Sequence, residues 1–278
     1  FYKRRFMHIL PPFFIFMFLY STLPLLTGNI DTATSMKDLS RIFLNFPTLA
    51  GHLWFMYPLI SLYLFIPVIS PWLEKATPKE ERFFIGLFLV STCMPYLERW
   101  FGEIWGQCFW NQYHMLWYFS GYLGYLVMAH YIRVHLTWTR GKRLAIGSAL
   151  MIVGAVWTIL SFYIQAVPGV IHSTPVIELG WAFCTINCVM LTAGTFILFT
   201  CIRQKEAPAL ITETSKLSYG IYLMHIFWLS FWVSIFKGDL NLPTVAAIPV
   251  IAVTTFVSCY ITSKIISYIP GSKWVIGG

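Results

Sequence analysis

Histidines inside apolar stretches are the side chains of this sequence best suited to proton transfer. His225 lies eight residues after Leu217, where one apolar stretch begins, so a helix would carry it about 12 Å into a membrane, near the midplane. A titratable group at that depth costs several kcal/mol unless it is paired or reaches water, which makes it a functional candidate. The structural alternative is a neutral histidine hydrogen-bonded to a neighbouring helix. His52 stands near the outer end of another apolar stretch, in a zone where aromatic anchors are common.

A basic run opens the chain and could bind phosphate groups. Lys3, Arg4, Arg5 and His8 precede a pair of prolines at the start of an apolar helix. Cations beside the free amide donors of a helix N-terminus suit the phosphates of a cytosolic cofactor. His130 and His135 are further candidates for the same pocket. Such basic runs also serve as topology signals, and that alternative stays open.

The predicted outer loop at residues 98–112 combines aromatic and polar side chains. Three tryptophans occur there together with carboxylates, an arginine and amides. Indole rings pack on the apolar faces of sugars, and the polar groups hydrogen-bond sugar hydroxyls. The sequence therefore suggests an acceptor site, although an interfacial re-entrant loop has the same composition. The acceptor candidates are Glu98, Arg99, Glu103 and Trp105.

Several common catalytic and metal-binding motifs are missing from the sequence. It contains no Gly-rich phosphate loop, no H-E-x-x-H, no paired-cysteine metal spacing and no G-x-S-x-G. We predict no metal. Five of the six cysteines lie in apolar stretches, where a thiol is usually a packing residue.

The elements that position these residues are predicted to be transmembrane helices. The chain is 58% hydrophobic and 11% charged, against about 25% charged in a soluble domain. Its apolar blocks match the length that crosses a bilayer. We predict an all-α, polytopic helical bundle in a single membrane domain of residues 1–278, with about eight spans at residues 9–28, 50–70, 83–97, 113–132, 144–165, 179–202, 217–236 and 245–269. The third span ends at Pro95 and could be short or broken.

The distribution of basic residues predicts that both chain ends are cytoplasmic. Four of the 19 Lys and Arg residues fall on one side of these spans, namely Lys37, Arg41, Arg99 and Lys237, and the other fifteen fall on the opposite side. Cytoplasmic loops carry the excess of Lys and Arg, so the richer side is cytoplasmic. The same spread over short loops argues against nucleic-acid binding, despite a net charge of +8.

Three segments of the chain resemble the acyltransferase 3 family of bacterial membrane O-acyltransferases. They are FYKRRFMHILPPF at residues 1–13, HLWFMYPLISLYLFIPVI at residues 52–69 and LSYGIYLMHIFWL at residues 217–229. WYFSGYLGYLVMAHYI, at residues 117–132, gives weaker support. The resemblance covers essentially the whole chain and implies about ten core helices, two of which would precede Phe1. It also implies that the main catalytic histidine lies in the first of those two, so that the 278 residues alone would be inactive.

The resemblance further implies an activity. An acyl group, usually acetyl, would pass from acetyl-CoA in the cytoplasm to a hydroxyl of a cell-surface glycan or lipid-linked sugar, within the bacterial inner membrane. Arg5 aligns with the first arginine of an R-x-x-R element implicated in acyl-CoA binding, and His8 replaces the second, which is a weaker phosphate partner. His52 and His225 match polar positions of the family, and we expect them in catalysis, orientation or acceptor contacts. The donor-site expectation is therefore Arg4, Arg5 and His8.

Two other functions fit the same residues. Some relatives are proposed to export glycans, so the chain could instead move a polysaccharide or a lipid-linked intermediate across the membrane. A different type of multispan acyltransferase would use His225 itself as the base. The expected partners are the lipid bilayer and a glycan or lipid-linked sugar acceptor.

Overall fold

The computed structural model describes residues 1–111, 114–167, 174–202 and 206–277, and the secondary-structure elements in these ranges are all helices. Within these ranges there is no strand, and the single isolated bridge joins Cys108 and Asn111. This confirms the predicted all-α fold class. The α-helices are α1 (Tyr2–Leu26), α2 (Thr32–Ser40), α3 (Met56–Lys75), α4 (Pro78–Phe101), α5 (Leu123–Val134), α6 (Arg140–Gln165), α7 (Thr174–Glu178), α8 (Ile186–Phe199), α9 (Ala209–Val233), α10 (Thr244–Ser267) and α11 (Lys273–Ile276). Short 3-10 segments occur at Gly51–Phe55 and Trp117–Phe119, and a π-helical segment, Ser234–Asp239, continues α9.

Five helical segments in the described residues are long and apolar enough to cross a membrane. They are Tyr2–Leu26, Gly51–Lys75, Arg140–Gln165, Ala209–Asp239 and Thr244–Ser267. The shorter apolar helix α8 corresponds to a sixth predicted span, and α4 and α5 to two more. The chain is therefore a multi-pass membrane protein, whereas the count of eight spans and the cytoplasmic location of both ends stay predictions.

Apolar side chains on these helices face outwards in the way that lipid contact requires. On α6, Ile159, Tyr163 and Ile164 are 65%, 79% and 71% exposed. A soluble protein rarely exposes such a continuous apolar surface. Lipid tails make the exposure favourable instead of costly.

Several helices begin or end some residues away from the predicted spans, and two of these differences involve a glycine and a proline. In the described part of the span expected at residues 113–132, the α-helix begins only at Leu123, because Gly121 has a φ of +80°, a left-handed conformation that interrupts an α-helix. Conversely, α4 continues through Pro95 to Phe101.

Helix α4 begins with a capping box in which Thr77 and Glu80 hydrogen-bond each other's backbone. The hydrogen bonds from Thr77 hold the pKa of the Glu80 carboxyl below its usual value.

The chain forms two compact units, of which the first comprises residues 1–64 and 205–278. Its core is built by α1, the 3-10 segment before α3, α9, α10 and α11. Fully buried side chains there include Met17, Tyr20, Leu53 and Leu223. This unit contains every described residue of the predicted catalytic and donor sites.

The second unit, residues 65–204, has its own core around Phe88 and Val189. Within it, α6 and α8 approach so closely that a Cβ on Gly154 would lie 2.7 Å from the backbone of Asn187 and Leu191. The fully buried Asn187 amide is hydrogen-bonded to Thr158, to the Gly180 carbonyl and to the Tyr96 hydroxyl. Small residues and satisfied amides of this kind hold helices together in membranes.

Candidate functional site

Two histidines far apart in the sequence meet inside the first unit. His52 lies in the 3-10 segment that leads into α3, and His225 lies near the middle of the helical segment Ala209–Asp239. Their ring centroids are 4.7 Å apart, with an angle of 78° between the ring planes. The Tyr222 hydroxyl donates to the His52 carbonyl oxygen at 2.7 Å, which ties α9 to the 3-10 segment at this point.

The hydrogen bond of His225 identifies the tautomer of its ring. Its Nδ1 lies 2.6 Å from the Tyr222 carbonyl oxygen, and a carbonyl oxygen only accepts. Nδ1 therefore carries a proton, and in the neutral ring Nε2 offers a lone pair. A lone pair of this kind is what a general base needs.

The two ring nitrogens of His52 are buried and have no hydrogen-bond partner among the residues that the structure describes. Buried polar groups normally have a partner, because an unmade hydrogen bond costs about 1–3 kcal/mol. Such an exception in a protein interior points to a functional or ligand-facing group. His52 thus has free hydrogen-bonding capacity beside the lone pair of His225.

Tyr20 of α1 connects this histidine pair to a cavity. Its ring centroid lies 5.1 Å from that of His52 and stacks on Phe227 at 4.1 Å, while its hydroxyl donates to the Leu223 carbonyl at 3.0 Å. The cavity has a volume of about 520 Å³, within the usual range for ligand sites. Its lining is mostly apolar with a few polar groups: Tyr20, Leu23, Pro24, Thr27, Asn29, Leu49, Ile226, Phe227 and Ser230.

A second cleft in the same unit collects the predicted donor-site residues. Arg4, Arg5 and His8 line it together, since His8 follows Arg4 by four positions and Arg5 by three, the spacings that share one side of a helix. The cleft has a volume of about 380 Å³. The rest of its lining comes from α1, α3, α9 and the end of α11, namely Ile9, Leu59, Tyr63, Tyr219 and Gly277.

Aromatic rings and a glycine shape this cleft. The Arg5 guanidinium lies 5.6 Å from the Tyr63 ring centroid, within the range of a cation–π contact. The Tyr219 hydroxyl donates to the Ile9 carbonyl at 2.8 Å. Gly277 has a φ of +73°, and a Cβ there would lie 2.4 Å from the Tyr219 ring and 2.9 Å from the His8 carbonyl oxygen. Only glycine therefore fits at this edge of the cleft.

The four predicted acceptor residues lie in the second unit, at and just after the end of α4. Glu98 and Arg99 belong to its last turn, and Glu103 and Trp105 follow in the irregular segment. All four are exposed, and Trp105 adopts a φ of +47°. No salt bridge joins any two of them within the described part of the chain. Their role in acceptor binding stays a prediction.

Several residues of these sites were not identified from the sequence. Tyr20, Tyr63 and Tyr219 were missed because their positions are typical of aromatic packing in any apolar helix. The pairing of Tyr222 with His225 had a detectable signal, since positions three apart share one helix face. His130 and His135, which belong to the second unit, both contact Glu81.

Comparison with known proteins gives one match. A family model described as an acyltransferase domain, of the acyltransferase 3 type, matches residues 1–264. The matched range includes every residue named so far for the histidine pair and its cavity, and all of the donor cleft except Gly277. No curated protein and no solved structure matches the chain.

Proposed function

The chain belongs to the acyltransferase 3 family, and on this premise we propose that it transfers an acyl group, which we expect to be acetyl, from acyl-CoA to a hydroxyl. The acceptor in this proposal is a cell-surface glycan or a lipid-linked sugar. The donor is on the cytoplasmic face of a bacterial inner membrane. The general activity, a membrane acyltransferase, follows from the family; donor, acceptor and membrane are our proposal.

The observation that carries the proposal is the contact between His52 and His225 inside the membrane domain. His225 Nε2 has a free lone pair, and the ring nitrogens of His52 have no partner in the described residues. A hydroxyl is a weak nucleophile until a base accepts its proton. A pair of partly buried imidazoles is suited to receive that proton and to orient the hydroxyl.

The reaction proposed for this site is a direct acyl transfer. The acceptor oxygen attacks the thioester carbonyl carbon, and the hydroxyl proton passes to an imidazole nitrogen. The C–S bond breaks, and the CoA sulfur leaves as a thiolate that takes up the proton. The family resemblance implies a further catalytic histidine; in that case His52 and His225 orient the acceptor and do not act as the base.

The donor half of the proposal rests on the basic cleft of α1. Two guanidinium groups and an imidazole line it, and guanidinium groups bind phosphate oxygens through paired hydrogen bonds. The adenosine and pyrophosphate groups of CoA supply the matching negative charge and an aromatic base. The Tyr63 and Tyr219 rings offer stacking surfaces beside that charge.

Titration of the purified full-length protein with acetyl-CoA tests the proposal. We expect saturable binding that Arg5→Ala weakens at least about tenfold, since a lost charge-assisted contact is worth about 1.5–3 kcal/mol. Arg133→Ala, which removes an exposed arginine of α5, is the matched control and should bind normally. Equal binding by wild type and Arg5→Ala would remove Arg5 from the donor site.

Export of a polysaccharide or lipid-linked intermediate is the competing function. An exporter does not need acetyl-CoA, so the same titration separates the two functions. A well-folded preparation that binds no acetyl-CoA would favour export. The cavity beside Tyr20 would then be a candidate part of the transport path.

A further inference from the structure

Three titratable side chains of the second unit form a cluster that shares no residue with the sites described above. Glu81 is in the first turn of α4, His130 is in α5, and His135 follows the end of α5. His130 Nδ1 lies 3.1 Å from one Glu81 carboxylate oxygen, and His135 Nε2 lies 2.9 Å from the other. The three ligating atoms are all within 4.8 Å of one another.

Burial makes this cluster unusual. The Glu81 side chain is 0% exposed, whereas those of His130 and His135 are 29% and 21% exposed. A carboxylate removed from water costs several kcal/mol unless positive charge compensates it. The exposed edges of the histidines leave one side of the cluster open to an ion or to water.

The surrounding backbone holds the three side chains in place. The capping box of Thr77 and Glu80 fixes the first turn of α4, directly before Glu81. The Arg143 guanidinium donates to the Leu136 carbonyl at 2.6 Å and to the Trp138 carbonyl at 3.0 Å, which fixes the segment that follows His135. Ligands held in advance by their supports are what a metal site requires.

We infer that Glu81, His130 and His135 bind a divalent first-row transition metal ion, of which Zn²⁺ is the natural probe. Two imidazole nitrogens and one carboxylate oxygen are a ligand set for such ions, whereas Mg²⁺ and Ca²⁺ prefer oxygen ligands. With bonds of about 2.0–2.2 Å, tetrahedral ligand atoms are about 3.3–3.5 Å apart. The atoms of the cluster need to shift by only about 1 Å or less on average to reach that geometry, and water can complete the coordination.

The bound ion would compensate the buried carboxylate and connect the start of α4 to the end of α5. The inference departs from the prediction of no metal made above. Sequence motifs detect ligands at short spacings, but here Glu81 is 49 and 54 positions from its two partners. It is also independent of the proposed acyl transfer, because no residue of the histidine pair or the donor cleft belongs to the cluster.

Metal binding by the purified full-length protein tests the inference. Chelator-treated protein is titrated with Zn²⁺ against a competing fluorescent indicator, and unfolding is followed with and without Zn²⁺. We expect one tight site per chain and a higher unfolding temperature with Zn²⁺. His130→Ala and His135→Ala should each weaken binding at least about tenfold, the loss that results even from changing the outer partners of metal ligands.

Glu80→Gln is the matched control. It changes the neighbouring exposed carboxylate, and glutamine keeps the capping box, so Zn²⁺ binding should stay at the wild-type value. Wild-type protein that binds no more Zn²⁺ than the His130→Ala, His135→Ala double variant would overturn the inference and leave a histidine–carboxylate ion pair.

Co²⁺ spectroscopy on the wild-type protein keeps the test decisive if the variants fail to fold. Visible d–d bands without a thiolate charge-transfer band would support nitrogen and oxygen ligands. A thiolate band would place the metal on a cysteine, such as one of the free cysteines of this sequence, and would overturn the proposed site.

Discussion

At the scale of single residues, one hydrogen bond of His225 defines what its ring can do. Nδ1 donates to the Tyr222 carbonyl within the same helix, so Nε2 is the nitrogen that points away from the backbone contact. The ring centroid of His52 lies 4.7 Å from that of His225, and its two ring nitrogens have no hydrogen-bond partner in the described residues. The pair therefore has more capacity to bind and move protons than the fold itself uses.

Replacement of His225 by asparagine separates its chemical role from its structural one. The asparagine amide can keep the donation to the Tyr222 carbonyl, but it has no basic nitrogen in place of Nε2. If His225 is the base that takes the proton of the acceptor hydroxyl, we expect His225→Asn to fold normally and to bind acetyl-CoA normally. It should transfer acyl groups about 100-fold or more slowly. Incorporation of labelled acetyl groups into the cell-surface glycan fraction measures the rate.

A smaller loss of acyl-transfer activity would give His225 a different role. A loss of only a few fold in His225→Asn would assign His225 to orientation of the acceptor, with another histidine as the base. Full activity in His225→Asn and in His225→Ala would remove it from the reaction. Tyr222→Phe is the control for packing, because it removes the bond to the His52 carbonyl but leaves the His225 nitrogens unchanged.

The residue scale also shows what a sequence can and cannot predict about a site. His225 was identified because a titratable side chain in an apolar helix costs free energy wherever the helix packs. Its contact with His52 was not predicted, although both residues were candidates, since contacts such as that between Tyr222 and His52 join positions 170 residues apart. Arg4, Arg5 and His8 are close in sequence, so their common cleft follows from helix geometry.

At the scale of elements, small residues determine how closely helices of the second unit approach. On α6, Gly147 and Gly154 face α8, and Gly194 of α8 faces α6 in return. A Cβ at Gly194 would lie 2.6 Å from the Gly147 carbonyl oxygen. Backbone-to-backbone contact of this kind replaces the hydrophobic effect, which does not drive helices together in lipid.

Gly154→Leu tests this packing. The new side chain would meet the backbone of Asn187 and Leu191 at 2.7 Å or less, so the two helices must separate. We expect a loss of about 1–3 kcal/mol of stability and a lower unfolding temperature. Gly141→Leu, in the same helix with nothing within 4 Å of its Cβ, is the control and should unfold at the wild-type temperature or above. Equal unfolding temperatures for both variants would contradict close packing of α6 and α8.

The helices themselves were largely predictable, because apolar length is a strong signal. Each of the eight predicted spans overlaps a helix in the structure. Helix ends were less predictable, and two of the differences depend on single residues. Gly121 delays the start of α5 through its positive φ, and α4 passes through Pro95 although proline usually ends a helix.

At the scale of the whole molecule, the charge distribution carries the remaining functional information. The basic cleft and most of the Lys and Arg residues belong to the side predicted to be cytoplasmic. The fifteen Lys and Arg residues on that side include Arg203 and Lys205, which lie outside the described residues. Acyl-CoA is a cytosolic donor, so the orientation of α1 in the membrane decides whether the cleft can reach it.

Cysteine labelling tests that orientation in the full-length protein with its native cysteines replaced. Ser40→Cys is on the side predicted to be external, and Ala76→Cys is in the connection between α3 and α4, predicted to be cytoplasmic. A membrane-impermeant maleimide should label Ser40→Cys in intact cells and Ala76→Cys only after the membrane is opened. The reverse pattern would place the donor cleft outside the cell, where acyl-CoA is absent, and would contradict the proposed cytoplasmic donor site. The histidine pair would then have to act on a different acyl donor.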